Sequence, residues 1–451
     1  MTIQPQSSED TKIVRKSSKT ASTHVYFNHM ENLKFPDGFL WGSSTAGHQV
    51  EGGNDNDWTD WETSAKRLAD LERRGLLKRY GKENYVSGRA AGHYRLFEED
   101  FKLAKELGHT AFRFSIEWSR IEPKEGVWNG AEISHYRTRV QALRRLGIEP
   151  FLTLWHWPIP RWMRDKGGWE NPETACFFSR YAEKVAQELP EVKFFVTLNE
   201  PEVYASMSYL QGVWPPQKKN PIAVWRVIHN LIAGHKLAYE LIKKVLPAAQ
   251  IGISKHNTFF EPHGDLFINK ILADIYSWAW NRYVLNRIRD FQDFIGVNQY
   301  FHERIHLGRN RNENKVISDM EWELYPEAIY HVLKDLKRYG KPLYITENGL
   351  ADATDELRGW YIHEVLGWVH RAIQEGVDVR GYLHWSLLDN FEWDKGFWPR
   401  FGLVEVDYET LARRPRPSAR LYADIARANA ITPEIRKKHA HLIKRPSQKG
   451  A

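Results

Sequence analysis

Cysteine is nearly absent: a chain of 451 residues carries one, Cys176. That excludes a disulfide framework and any cysteine-based metal cage. Long apolar runs are missing too, since no stretch approaches the ~18 consecutive apolar residues that a membrane span needs. The first 30 residues are rich in Ser, Thr, Lys and Gln. They lack the apolar segment of a secretory signal and read as a flexible leader, with at most a short ordered stretch near Val25–Phe27. With no export signal and a lone thiol, the expected compartment is the cytoplasm. Charge of one sign is not in excess either: 64 basic against 57 acidic residues leave +7. Without a recognisable module, that is too mild for a nucleic-acid surface. The basic positions that do cluster, among them Lys437, Lys438, Lys444, Arg445 and Lys449, lie near the end. Residues 431–451 therefore read as a solvated basic tail.

Aromatic residues are abundant, with 19 Trp, 20 Tyr and 21 Phe. They supply enough core to exclude disorder as the main state. Flat, partly polar rings also suit stacking on sugars or bases, beside their ordinary use as core anchors. Length alone would allow about three domains. No Pro/Ser linker or composition change divides residues 31–430, however, and eight short β-rich runs follow one another at similar spacing. They are Phe39–Trp41, Ala111–Glu117, Pro150–Trp157, Phe194–Asn199, Ile251–Asn257, Phe294–Tyr300, Leu343–Glu347 and Gly381–Ser386. Most gaps leave room for one helix and two loops. Tyr94–Leu107 and Tyr361–Glu375 show helical spacing and end at Gly108 and Gly376. The pattern predicts an α/β fold, a single (β/α)8 TIM barrel with long βα loops. One of these, the polar segment Gly52–Arg89, should overhang the mouth.

Such a barrel places its chemistry at the C-terminal ends of the strands, and polar residues collect there. Arg113 lies on the second run, His156 ends the third, and Asn199 and Glu200 end the fourth. Asn298 and Tyr300 close the sixth, Glu347 the seventh and Trp385 the eighth, with Glu392 and Trp393 just beyond. Buried polar residues cost stability, so function accounts for them better than structure does. The fourth and seventh strands face each other, so Glu200 and Glu347 would flank one site, an arrangement suited to glycoside cleavage. Arg113 would keep one carboxylate ionised while the other stays protonated. The rigid strand-end setting favours Glu347 as nucleophile and leaves Glu200 as acid/base. Their separation, which decides retention or inversion, stays open at this level.

These residues sit in strings that resemble glycoside hydrolase family 1, the retaining β-glycosidases, over about Phe35–Ile425. FLWGSSTAGHQVEG (Phe39–Gly52) resembles its N-terminal signature and LYITENGLA (Leu343–Ala351) its nucleophile signature. FRFSIEWSRIEP, TLWHWPIP, TLNEP, GVNQY, WELYPE and GYLHWSLLDNFEW follow in the family's order. The resemblance implies Glu347 as nucleophile, Glu200 as acid/base, and Asn199 on the sugar 2-hydroxyl. It implies that Arg113 and Tyr300 orient Glu347. Gln49, His156, Glu392 and Trp393 would hold the outer hydroxyls, with Trp385 under the ring and Trp322 as aglycone platform. Phospho-glycosidases of the family carry Ser where Glu392 stands, so an unphosphorylated glucoside is expected, with β-fucosides and β-galactosides tolerated. No cofactor or metal is implied. The expected partner is a small β-glycoside or oligosaccharide, with no nucleic acid or membrane, and the oligomeric state is open. Transglycosylation at the same site and a non-catalytic sugar-binding barrel are the alternatives. The departures, Ser208 and Gln217 after the acid/base and HWPIP for HWDLP, touch the aglycone side.

Other signals carry less. His302-Glu303-Arg304-Ile305-His306 spells HExxH but follows a strand, whereas the zinc motif needs a helix. Asp55, Asp57 and Asp60 miss the EF-hand spacing. His229 and His235 read as ordinary histidines, Cys176 as a buried small residue, and Glu51 and Asp389 as structural acids.

Overall fold

The computed structural model describes residues 32–446; the expected leader and the last five residues lie outside them. Eight parallel strands close into one barrel in sequence order. They are β1 (Leu40–Ser44), β2 (Ala111–Ser115), β3 (Glu149–Trp155), β4 (Phe194–Asn199), β5 (Gln250–His256), β6 (Ile295–Asn298), β7 (Leu343–Glu347) and β8 (Val379–Trp385). Each is followed by an outer helix: α1 (His93–Glu106), α2 (Gly130–Arg145), α3 (Thr174–Glu188), α4 (Pro221–Val245), α5 (Phe267–Ser277), α6 (Ala328–Leu336), α7 (Arg358–Gln374) and α8 (Pro417–Ala428). Local chemistry sets these ends. The side chains of Asn129 and Asn220 accept the first free amides of α2 and α4, and Pro221 opens α4 where its missing N–H costs nothing.

The N-terminal end of the barrel is filled by rings. Phe151 and Phe194 stack at 4.2 Å, and Phe294 and Tyr344 meet them edge-on. This floor leaves the C-terminal end as the place for a cavity. The long segment after β1 meets the cavity rim as expected, but it is not the loop that its composition predicts. It folds into short helices (Asp57–Glu62, Ala65–Arg73, Leu76–Tyr80) clamped to the loop after β8. Trp58 packs 4.7 Å from Trp393, and Arg67 donates to the Asp394 carbonyl.

The tail expectation also fails for 431–446. Ala430–Ile431 pairs with Leu33–Lys34, Pro433–Lys438 is a helix, and Ile435 and Ile443 are buried. A few apolar residues among the basic ones are enough to dock this segment. Cys176 is exposed rather than buried. On α3 the residues Ala175, Phe178, Ser179 and Ala182 face inward, which turns position 176 outward. Glu51 and Asp389 are structural acids: Asp389 bridges Arg416 and Arg400, and Glu51 is shared by Arg139, Arg120 (3.2 Å) and the Tyr136 hydroxyl (2.9 Å). Glu51 and Arg139 are completely buried. Glu51→Ala leaves the Arg139 charge without its carboxylate and is expected to cost about 3–5 kcal/mol in urea unfolding. A loss below ~1 kcal/mol would show that the cluster does not hold α2 to the barrel.

Candidate active site

A cavity of about 720 Å³ opens at the C-terminal ends of the strands. Its wall carries Glu200, Glu347, Tyr300, His156, Trp322, Trp385, Glu392 and Trp393, all singled out in the sequence. The other three, Gln49, Arg113 and Asn199, are hydrogen-bonded to wall residues. Six of the 19 tryptophans line it: Trp157, Trp214, Trp280, Trp322, Trp385 and Trp393.

The arrangement is built around Arg113 on β2, which is fully buried. Its guanidinium donates to Thr153 on β3 (2.9 Å), to Asn199 on β4 (2.7 Å) and to the Glu347 carboxylate at the end of β7. The Tyr300 hydroxyl donates to the second Glu347 oxygen at 2.9 Å. Gly349, two residues on, passes so close to the Trp385 carbonyl that any Cβ would collide with it. Glu200 follows β4 in the left-handed region, φ 45° and ψ 61°, a strained backbone for a residue with a Cβ. Its amide bonds the Ser254 carbonyl, and its carboxyl accepts from the Asn298 amide at 2.7 Å. Asn298 is held in turn by Thr346 at 2.7 Å.

The two carboxyls therefore differ. Burial raises both; Glu347 stays raised despite the Arg113 cation and the Tyr300 phenol bonded to it, while Glu200 has the Asn298 amide, the Arg113 and Lys255 charges without a direct bond, and the repulsion of Glu347. Glu200 is pushed well above the usual carboxylate range, so the shared proton resides there. Asn298 is also the register partner of Glu347 where β6 pairs with β7. His156 is neutral, held well below its usual value by burial and Arg113; its Nε2 meets the Asn199 amide at 3.0 Å. Glu392 is pushed up to about 8 by burial and by Asp394 and Glu347. Gln49 reaches it at 3.4 Å while anchored to Asn390 and Phe391 at 2.9 Å.

These side chains make a concave pocket lined by two carboxyls in unequal surroundings. The family model for glycosyl hydrolase family 1 matches residues 31–289 and 268–431. The chain belongs to glycosyl hydrolase family 1. Its activity is that of a retaining β-glycosidase. Beta-glucosidase A of Thermotoga maritima is 32% identical over 89% of this chain and all of its own length. A beta-galactosidase of Sulfolobus acidocaldarius is 32% identical over 89% of this chain and 97% of its own. Among solved structures, a beta-glycosidase from Pyrococcus horikoshii aligns with a TM-score of 0.81 at 39% identity, covering 91% of this chain and 98% of its own. The T. maritima beta-glucosidase in complex with glucoimidazole aligns at 0.80 and 31%, covering 88% and 99%.

Sequence reasoning placed Asn298 at a strand end without a role, and it missed Lys255, Glu202 and His256. Lys255 is a fully buried cation on β5, 3.2 Å from Glu202 and close enough to Glu200 to lower its pKa. His256 accepts from the Trp280 indole at 3.1 Å and is held near 3 by burial and Lys255. A lysine inside an apolar strand run was the available signal. The HExxH string is itself a strand, His302–His306. His302 there is held by Glu323 (2.6 Å) and Glu261 (3.1 Å). Four residues along a strand put its two imidazoles ~13 Å apart.

Tyr300→Phe removes a donor that favours ionised Glu347, so the Glu347 pKa rises. The acid limb of the kcat/KM–pH profile is expected to move upward by about 1–2 pH units. An unmoved limb would disconnect the phenol from the carboxylate.

Proposed function

We propose that this protein hydrolyses unphosphorylated β-D-glucosides by double displacement, with β-fucosides and β-galactosides accepted at the same site. The observation that carries the reading is the unequal surroundings of the carboxyl pair: one bonded to Arg113 and Tyr300, the other to Asn298. In this reading Glu347 attacks the anomeric carbon while Glu200 gives its proton to the departing oxygen. The glycosidic bond breaks as the ester to Glu347 forms, leaving the aglycone as a neutral alcohol. Esterification removes the negative charge that raised Glu200, so its pKa falls and it can take a proton from water. That water attacks the anomeric carbon, the ester breaks, and the sugar leaves with its original configuration.

Asn199, tied to Arg113, is assigned to the 2-hydroxyl, a contact that strengthens at the oxocarbenium-like transition state. Gln49, His156, Glu392 and Trp393 take the outer hydroxyls, with Trp385 beneath the ring and Trp322 beside the aglycone. The preference for an unphosphorylated sugar rests on the lack of a free cation more than on repulsion. Glu392 is largely neutral at pH 7, and the Lys395 ammonium is tied to Asp394 at 2.6 Å. Transfer to an alcohol would use the same ester. A cytoplasmic location, supported by the single unpaired thiol, is part of the proposal.

Initial rates on aryl β-glucoside, β-galactoside, β-fucoside, α-glucoside and 6-phospho-β-glucoside test the glycone assignment. The first three are expected to react and the last two to stay inert; turnover of the phosphorylated sugar would overturn it. Glu347→Gly is expected to lower kcat by on the order of 10⁴-fold or more, with azide restoring turnover to an α-glycosyl azide. Glu200→Ala should cost ~10²–10⁴ on alkyl glucosides and far less on dinitrophenyl glucosides. Equal losses on both would remove Glu200 from the acid role.

A further inference from the structure

The outer face of α5 is apolar and open to solvent. Leu266, Phe267, Ile268, Ile271, Ile275 and Trp278 are all exposed, Phe267 at 76% and Ile275 at 50%. Phe267, Ile271, Ile275 and Trp278 recur at three- and four-residue spacing, while Asn269 and Ala273 face inward. The buried Asn269 accepts from the Leu307 amide at 2.9 Å. This holds the 61% exposed Leu307 against the same helix. The patch also extends sideways. Trp278 meets Tyr283 at 5.5 Å, Tyr283 meets His229 at 6.2 Å, and His229 meets the 61% exposed Trp225 at 4.1 Å. A contiguous apolar surface of this kind marks an interaction site.

Two further observations narrow the occupant. Exposed cations border the patch: Lys270 on the helix, Arg226 beside Trp225, and Arg309 and Arg311 beyond Leu307. Of the carboxylates on this segment, Asp274 is paired with Arg282 at 3.2 Å and Asp265, beside Leu266, is exposed, so the exposed cations outnumber the exposed acids around the patch. The same segments also reach the cavity. Tyr276, Ala279 and Trp280 line its wall, as do Ile305 and Gly308 on either side of Leu307. An apolar helical stripe with flanking indoles and a basic border is the pattern of an interfacial helix on anionic lipid.

We propose that α5 and the Leu307 turn seat the cleft mouth on an anionic lipid bilayer. Among the described residues no helix is long and apolar enough to cross a membrane, so the contact is superficial and reversible. Hydropathy along the chain leads to the expectation of no membrane partner because the apolar residues are spread over helical turns. The docking stands apart from the catalytic assignment. If both hold, glycosides whose aglycone lies in the lipid layer reach Glu200 without leaving it.

The test is co-sedimentation of the full chain with vesicles of 70% phosphatidylcholine and 30% phosphatidylglycerol. The comparison is with a variant carrying Phe267→Gln, Ile271→Gln and Ile275→Gln. None of the three lines the cavity, and Gln favours helix at least as well as the residues it replaces. Wild type is expected to sediment with the vesicles, and the triple variant to partition at least tenfold less. The variant's kcat/KM on a soluble nitrophenyl β-glucoside should match wild type within twofold. Wild type remaining in solution, or equal sedimentation of both proteins, overturns the proposal. A wild-type dimer that the variant makes monomeric, without vesicle binding, gives the face to a second copy and overturns it too. Failure on the nitrophenyl glucoside by both proteins, with vesicle binding intact, counts against the catalytic reading instead.

Discussion

One buried cation organises this site. Arg113 sits where a barrel would ordinarily hold an apolar residue, and an unpaired charge there would cost far more than the fold could spare. Its bonds to Thr153, Asn199 and Glu347 tie β2 to β3, β4 and β7. That pairing decides which carboxyl is ionised. Glu347 is bonded directly to the guanidinium, whereas Glu200 feels the Arg113 and Lys255 charges without a bond to either and is raised further. The division of labour between two chemically identical side chains follows from this single asymmetry.

The barrel makes the asymmetry durable. Strand-end residues are held on both sides by neighbouring strands, and further hydrogen bonds fix their side chains: Thr346 for Asn298, the Asn390 side chain and the Phe391 carbonyl for Gln49, Asn199 for His156. The left-handed backbone at Glu200 is tolerated because its amide is bonded to Ser254 and the Pro201 helix begins immediately after it. Strain at one residue is thereby met by regular structure on both sides. Lys255 and Glu202 add a buried pair beside the acid, which tempers the burial that raises Glu200.

The sequence carried the repeating skeleton well, because strand-and-helix alternation depends on local patterning. All eight strand runs coincide with barrel strands, displaced only at their ends. The polar residues at those ends stood out because apolar strands should not contain them. Three features escaped for one common reason, that each depends on contacts remote in sequence. The segment after β1 looked like a loop because its short helices are stabilised by Trp393 and Asp394, more than 300 positions away. Residues 431–446 looked like a tail because their partners are Leu33–Lys34 and the outer helices. His256 was unremarkable until Trp280 folded back onto it.

The ring-filled floor closes the N-terminal end of the barrel. Phe151, Phe194, Phe294 and Tyr344 block the barrel axis beneath the carboxyls. Nothing passes along the barrel axis, so exchange runs through the cavity at the C-terminal ends of the strands. In the proposed mechanism the aglycone occupies the outer part of that cavity, so it departs first and water enters the space it vacates. Traffic is last in, first out. A leaving group slow to clear the apolar mouth stands between the ester and water, and an alcohol held there becomes the competing acceptor. How the ester is shared between water and alcohol is thus set at the rim, by residues that never touch the sugar.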